Sequence, residues 1–168
     1  MYMNRVCVIG CPGSGKSTFS RALRDITGLP LFYLDMLFHR PDRTTVSREE
    51  FDRRLSEILV QDRFILDGNY GRTLERRLSH SDTVFFLDYH VEVCLEGIEA
   101  RCGKPREDMP WVETEYDGEF LNTIRSFRDA VRPEILRTLS KFPQLQQIVF
   151  HSREEAERYL RRDIYGQH

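Results

Sequence analysis

Residues 10–17 read Gly-Cys-Pro-Gly-Ser-Gly-Lys-Ser and satisfy the pattern G-x-x-x-x-G-K-[ST] at every fixed position. No other stretch limits the fold of this chain as tightly, because the pattern is meaningful only between a strand and a helix. Both flanks are present. Arg5-Val6-Cys7-Val8-Ile9 is a short apolar, β-branched run suited to a buried strand. From residue 16 to 27, Phe19, Ala22, Leu23 and Ile26 recur at helical spacing. Gly10, Gly13 and Gly15 allow successive backbone N–H groups to curl around a phosphate. Lys16 brings a point charge to the β- and γ-phosphates, and the Ser17 hydroxyl is placed to ligate Mg²⁺. Gly10, Pro12, Gly13, Ser14, Gly15, Lys16 and Ser17 are therefore the expected cradle for a triphosphate.

The rest of the chain alternates short apolar runs with helical patterns. Leu31-Phe32-Tyr33-Leu34 reads as a second strand running into Asp35, and residues 38–46 as a polar loop. Ser47-Arg48-Glu49-Glu50 is a capping box, followed by Phe51, Leu55, Ile58 and Leu59 on one face. Phe64-Ile65-Leu66 predicts a third strand, ending at Asp67-Gly68-Asn69-Tyr70-Gly71, with a short helix over 72–80. Thr83-Val84-Phe85-Phe86-Leu87 predicts a fourth strand before Asp88, and a helix follows over 91–101. Residues 102–117 form the one long irregular stretch. A helix over 118–131 is then broken or kinked by Pro133, and Ile148-Val149-Phe150 makes a fifth strand. Ser152-Arg153-Glu154-Glu155 caps a last helix to about residue 162. Strands that are continuous apolar runs argue for a parallel sheet covered on both faces. Ligands of such sheets lie beyond the carboxyl ends of the strands, here Gly10, Asp35, Asp67, Asp88 and His151.

With 168 residues, the chain is expected to form one domain over 1–168. Its 40% apolar and 31% charged fractions exclude a disordered or membrane chain, and no apolar run approaches the roughly 18 residues that span a bilayer. Met1-Tyr2-Met3-Asn4 leads straight into the first strand, leaving no room for a signal peptide, so a cytoplasmic location is expected. The 4 cysteines form no C-x-x-C pair, which argues against a zinc site or redox dithiol and for free thiols. Cys11 stands inside the phosphate loop, where oxidation would block nucleotide binding. A net charge of −2 gives no pull towards nucleic acid, although 22 of the 25 basic residues are Arg. That bias suits bidentate grip on phosphate and equally a compositional habit.

Asp67 has the Walker-B arrangement, a carboxylate at the end of an apolar strand that holds Mg²⁺; the alternative is an Asp capping the next turn. Asp35 is placed to hydrogen-bond an acceptor hydroxyl, to join the Mg²⁺ shell, or merely to start a turn. Asp88 reads as a structural cap. The stretch 102–117 is long enough to be a lid. It carries Lys104 and Arg106, follows Arg101, and precedes Arg125, Arg128 and Arg132 at helical spacing. Closing it would expel water and bring guanidinium groups to a transferring phosphoryl; the alternative is a solvated basic face. Trp111 and Tyr116 are candidates to anchor it.

On these residues the chain resembles the adenylate-kinase-like P-loop kinases, and within them the FlaR-type "DNA topology modulation protein" group. The likeness rests on Gly-Cys-Pro-Gly-Ser-Gly-Lys-Ser-Thr (10–18), Leu-Asp (34–35), Ile-Leu-Asp-Gly-Asn-Tyr (65–70), Arg106-Glu107-Asp108-Met109 and Arg132-Pro133. It implies a three-layer α/β/α P-loop NTPase fold with a five-stranded parallel sheet in order 2-3-1-4-5 and a helical, mobile lid. It also implies ATP–Mg²⁺ as donor, with residues 13–18 on the phosphates and Arg101 on the phosphates or adenine. Adenylate kinases follow their Asp-Gly with an aromatic, Pro and Arg, whereas here Asn69, Tyr70 and Gly71 precede Arg72. The expected function is an ATP-dependent phosphotransferase acting on a small molecule, with a nucleotide, nucleoside or hydroxylated metabolite as acceptor. Lys16, Arg106 and Arg128 would stabilise charge, Ser17 and Asp67 would place Mg²⁺, and Asp35 would orient the acceptor. A DNA-associated factor and an NTPase switch without acceptor are the alternatives. The former lacks a reader module or basic arm, and a monomer or homodimer fits either.

Overall fold

The computed structural model describes residues 3–164, with the side chains of 163 and 164 left aside. The part of the expected domain at 1–2 and 165–168 lies outside the described residues. Strand β1 (Arg5–Gly10) runs into the loop and helix α1 (Lys16–Thr27), and β2 (Leu31–Tyr33) follows. Next come α2 (Leu34–Phe38), α3 (Arg48–Leu59), β3 (Phe64–Asp67), α4 (Gly71–Ser79), β4 (Thr83–Leu87) and α5 (Val91–Arg101). Three short helices, α6 (Gly118–Arg125), α7 (Phe127–Ala130) and α8 (Arg132–Ser140), lead to β5 (Gln146–Phe150), α9 (Arg153–Tyr159) and a π-helical turn at Leu160–Ile164.

The strands make one parallel sheet in the order β2-β3-β1-β4-β5, with helices on both faces. The apolar runs explain why. Val6 to Ile9, Phe64 to Leu66 and Val84 to Leu87 are all buried on both sides of the sheet, as a doubly covered parallel sheet requires. Edge strand β5 instead alternates half-buried and exposed residues before Phe150. Strand β3 lies between β1 and β2, so the Asp67 backbone registers with Val8 on one side and Tyr33 on the other. This crossing of the sheet puts Asp67 beside the phosphate loop.

Two expectations need correction. Strand β2 stops at Tyr33, and Leu34 opens a helical turn. Asp35 therefore sits in the first turn of α2 rather than at a strand end, a position where the helix dipole favours a carboxylate. The helix expected over 118–131 breaks at Ser126, whose hydroxyl donates back to the Asn122 carbonyl at 2.8 Å, and again at Val131. Side-chain bonds of this kind compete with the helical ladder. Pro133, the second residue of α8, accounts for that second break: it has no N–H to give the Asp129 carbonyl, so α7 does not run on into α8.

Candidate active site

The phosphate loop is set backbone against backbone on α5. Gly13 (φ 84°) and Gly15 (φ 93°) are left-handed, and α1 starts immediately after Gly15. A Cβ at Gly13 would come within 2.0 Å of the Cys94 carbonyl oxygen, and one at Gly97 within 2.0 Å of the Gly13 carbonyl oxygen. Only glycine fits on either side of that contact. From the far end of the chain, Arg153 donates to the Ser14 carbonyl at 2.9 Å and the Gly13 carbonyl at 3.1 Å, with its guanidinium over the Tyr89 ring. Turning these carbonyls outward leaves the loop's N–H groups facing inward, the geometry of an anion-binding nest. Lys16 Nζ lies 3.4 Å from the Cys11 carbonyl, across the loop.

Beyond β3, two side chains fix the turn at residues 68–70. Asn69 accepts from the Gly10 N–H at 3.0 Å and donates to the Gly10 carbonyl at 2.5 Å, clasping the turn to the start of the loop. Arg77 is fully buried, donates to the Gly68 carbonyl at 3.0 Å and to the Asn69 carbonyl, and is braced by Thr73 at 3.1 Å. Tyr70, held at φ 36°, stacks on Phe51 with centroids 5.1 Å apart. Its hydroxyl donates to Asp35 Oδ1 at 2.6 Å. Burial and the Asp35 charge push the Tyr70 phenol up, so it stays the donor in this pair.

Asp67 caps no helix; the next one, α4, has Tyr70 at its N-cap. The Asp67 carboxylate is 6% exposed and accepts from Ser20 Oγ at 3.0 Å. Burial pushes it up to about 6 against the pull of Lys16 and Ser20, and the charges of Asp108 and Asp35 add to the rise. Asp88 is also no cap, since His90 occupies the N-cap of α5. Buried Asp88 instead takes Arg132 Nε at 2.9 and 3.0 Å and lies 3.8 Å from Arg128 Nη1.

The segment 102–117 lies over this face, closed at its base by the Gly103 N–H donating to the Glu113 carbonyl at 2.7 Å. Arg106 pairs with Glu113 at 3.0 Å and Asp108 at 3.4 Å. Arg101 donates to the Tyr116 hydroxyl at 3.1 Å. Glu107 reaches the body of the molecule, accepting from the Tyr33 hydroxyl at 2.5 Å and from Arg24 at 3.2 Å. Trp111 meets His39 edge-on at 5.2 Å.

Between the loop, the strand ends and this segment lies a cavity of about 750 Å³. Pro12, Gly13, Gly15, Lys16, Ser17 and Thr18 line it from the loop, Asp67 from the end of β3 and Asp35 from the first turn of α2. Arg101 and Arg106 line it from the far side. Gly10 and Ser14 stand behind the loop, and Arg128 lies outside the cavity, against Asp88. Sequence reasoning missed Asn69 as a clasp, Arg77 and Arg153. All three bind main-chain carbonyls or N–H groups, which leave no residue pattern to find.

Among the described residues no three His, Cys, Asp or Glu side chains are grouped to hold a metal. A cation here would rest on Asp67, Ser17 and phosphate oxygens. That donor set suits Mg²⁺, which keeps water and takes few protein ligands, and the raised Asp67 carboxyl is a buried charge in want of a positive partner.

No protein-family model matches the chain. It is similar to the adenylate kinase of Thermotoga petrophila, 30% identical over 82 residues that cover 48% of this chain and 36% of that enzyme. The chain thus spans about a third of that relative's length. Among solved structures, shikimate kinase from Bacteroides thetaiotaomicron aligns with a TM-score of 0.58 at 17% identity over 99% of both chains. A sugar kinase from Janibacter sp. HTCC2649 aligns at 0.55 and 19% identity, covering 98% of this chain and 94% of that one. The chain has the fold of the P-loop kinases. No helix among the described residues is long and apolar enough to cross a membrane.

Proposed function

We propose that the protein is an ATP-dependent phosphotransferase acting on a small-molecule acceptor, a single domain in which residues 102–117 serve as lid. The observation that carries this reading is the convergence, on one cavity, of the phosphate loop, the raised Asp67 carboxyl and the free side of Asp35. ATP bound with Mg²⁺ supplies the phosphoryl group. Residues 12–18 hold its phosphates, Ser17 and Asp67 hold the cation, and Arg101 lies along the nucleotide. Asp35, its Oδ1 already taken by Tyr70, presents Oδ2 to the acceptor. That oxygen takes the acceptor's proton as the acceptor oxygen bonds to the γ-phosphorus and the bond to ADP breaks. Lys16 and Arg106 offset the charge that develops on the oxygens in transfer. Arg128, held outside the cavity, is given no part.

Relatives named adenylate, shikimate and sugar kinases support a transferase of this kind, and residues 65–70 carry the finer FlaR-type likeness. The arginine-rich composition does not favour a nucleic-acid partner. Arg53, Arg72, Arg106 and Arg132 are paired with carboxylates at 3.0 Å or less, not arrayed as a free basic patch. Lys16→Ala is expected to weaken Mg–ATP binding by at least about a hundredfold, measured by calorimetry, because the loop then faces the phosphates without its cation. Equal affinity in the variant overturns the reading.

A further inference from the structure

The acceptor side of the cavity holds a cation that makes no ion pair among the described residues. Arg21, on α1, lines the cavity together with Asp35 and Asp108. Its Nη2 donates to Thr18 Oγ1 at 3.3 Å, its Nη1 is buried without a partner, and it makes no ion pair among the described residues. Glu107, whose carboxyl feels the Arg21 charge, takes its hydrogen bonds from Tyr33 and Arg24. Opposite in character is Asp108. It is 7% exposed, with one oxygen 3.4 Å from Arg106 and the other, Oδ1, buried and unpartnered. A buried guanidinium N–H calls for an oxyanion, and a buried carboxylate oxygen for an O–H or N–H donor.

The carboxylates decide what reacts. Asp35, Asp67 and Asp108 face the same space, and the charges of Asp35 and Asp108 are felt at Asp67. A phosphate brought there as the attacking group would meet three like charges, whereas a neutral hydroxyl meets acceptors for its proton. We infer that the acceptor is a small hydroxylated anion, phosphorylated on a hydroxyl at Asp35, with its anionic substituent on Arg21 and a further hydroxyl on Asp108. A carboxylate and a phosphate ester both satisfy the planar fork of Arg21. The acceptor O–H loses its proton to Asp35 Oδ2, its oxygen bonds the γ-phosphorus, and ADP departs with the electron pair of the broken bond.

This inference rests on the phosphotransferase reading, and one experiment separates the two. ADP formation from Mg–ATP is followed with small hydroxy acids, sugar monophosphates, the matching neutral polyols, nucleosides and nucleoside monophosphates, alongside thermal shift of the same panel with Mg–ADP. Hydroxylated anions are expected to be turned over and to raise the melting temperature above their neutral counterparts; acids against phosphate esters identify the substituent. In Arg21→Met, KM for the anion rises at least about tenfold while KM for ATP stays within about twofold, and Arg21→Lys recovers part of the loss. Three outcomes overturn the inference: preference for a neutral polyol or nucleoside, transfer onto the phosphate of a nucleoside monophosphate, or no anion that shifts melting beyond its neutral analogue. Each of these leaves the phosphotransferase reading standing, which falls instead if Mg–ATP is not bound.

Discussion

At Asp67, the proposed cation ligand, charge and folding meet. Its carboxyl is raised by burial from 3.8 to about 6. A folded-state pKa above the unfolded one means that the folded protein binds more protons between those values. The stability tied to this group is therefore whole below about pH 4 and is lost as pH rises through 6. In Asp67→Asn that loss disappears. The metal-free variant is expected to be more stable than the parent above pH 6, by up to about 3 kcal/mol for a two-unit shift, and to match it near pH 4. The gain comes with loss of Mg²⁺-dependent nucleotide binding. Urea unfolding at the two pH values, with and without Mg–ADP, checks both halves; an equal pH profile in parent and variant would refute the assignment. Asp67 and the loop were readable from the sequence because each belongs to a fixed spacing after an apolar strand. Arg77 and Asn69 were not: an arginine in a polar helix reads as solvated, and only the fold shows that Arg77 is buried under the turn.

Among elements, the contact between the loop and α5 is the least forgiving. Helix α5 was legible as a helix, yet nothing in its mixed apolar and polar faces told that Gly97 exists to let the Gly13 carbonyl approach. Gly97→Ala places a methyl within 2.0 Å of that backbone oxygen, so the loop or the helix must move. Ala favours the helix itself by about 1 kcal/mol over Gly, whereas overpacking against backbone costs about 1–3 kcal/mol. The expected result is a variant that stays folded by circular dichroism while Mg–ATP affinity drops by at least about tenfold. Unchanged affinity would show that the loop does not need this bearing. The three-way division of residues 118–140 was hidden for a related reason. Ser126 ends α6 by bonding its own helix backbone, a break the sequence does not announce, whereas the second, before Pro133, is the one the proline marks.

For the whole molecule, a parallel sheet covered on both faces followed from continuous apolar strands alternating with helices, whereas the observed strand order was expected only from the resemblance to P-loop kinases. The segment 102–117 was visible only as a lack of pattern, and its docking through Glu107 on Tyr33 and Arg24 is a tertiary matter. A ligand that binds the folded state stabilises all of it. At a hundred times its Kd, Mg–ATP adds about 2.7 kcal/mol, which for a chain of this size raises the melting temperature by about 5–10 °C. Differential scanning fluorimetry reads this directly, and ATP without Mg²⁺ should give a smaller rise; no rise with either would refute nucleotide binding.

Arg153 carries a consequence for the order in which the protein comes to life. Its bond to the Ser14 carbonyl joins groups 139 residues apart, so the loop is braced by a side chain made long after it. On the ribosome, strands β1 to β4 can assemble before α9 has left the exit tunnel, but the brace cannot. On the phosphotransferase reading, the nascent protein gains its sheet before its grip on phosphate, and a chain cut short before residue 153 is expected to bind Mg–ATP more weakly than the full chain.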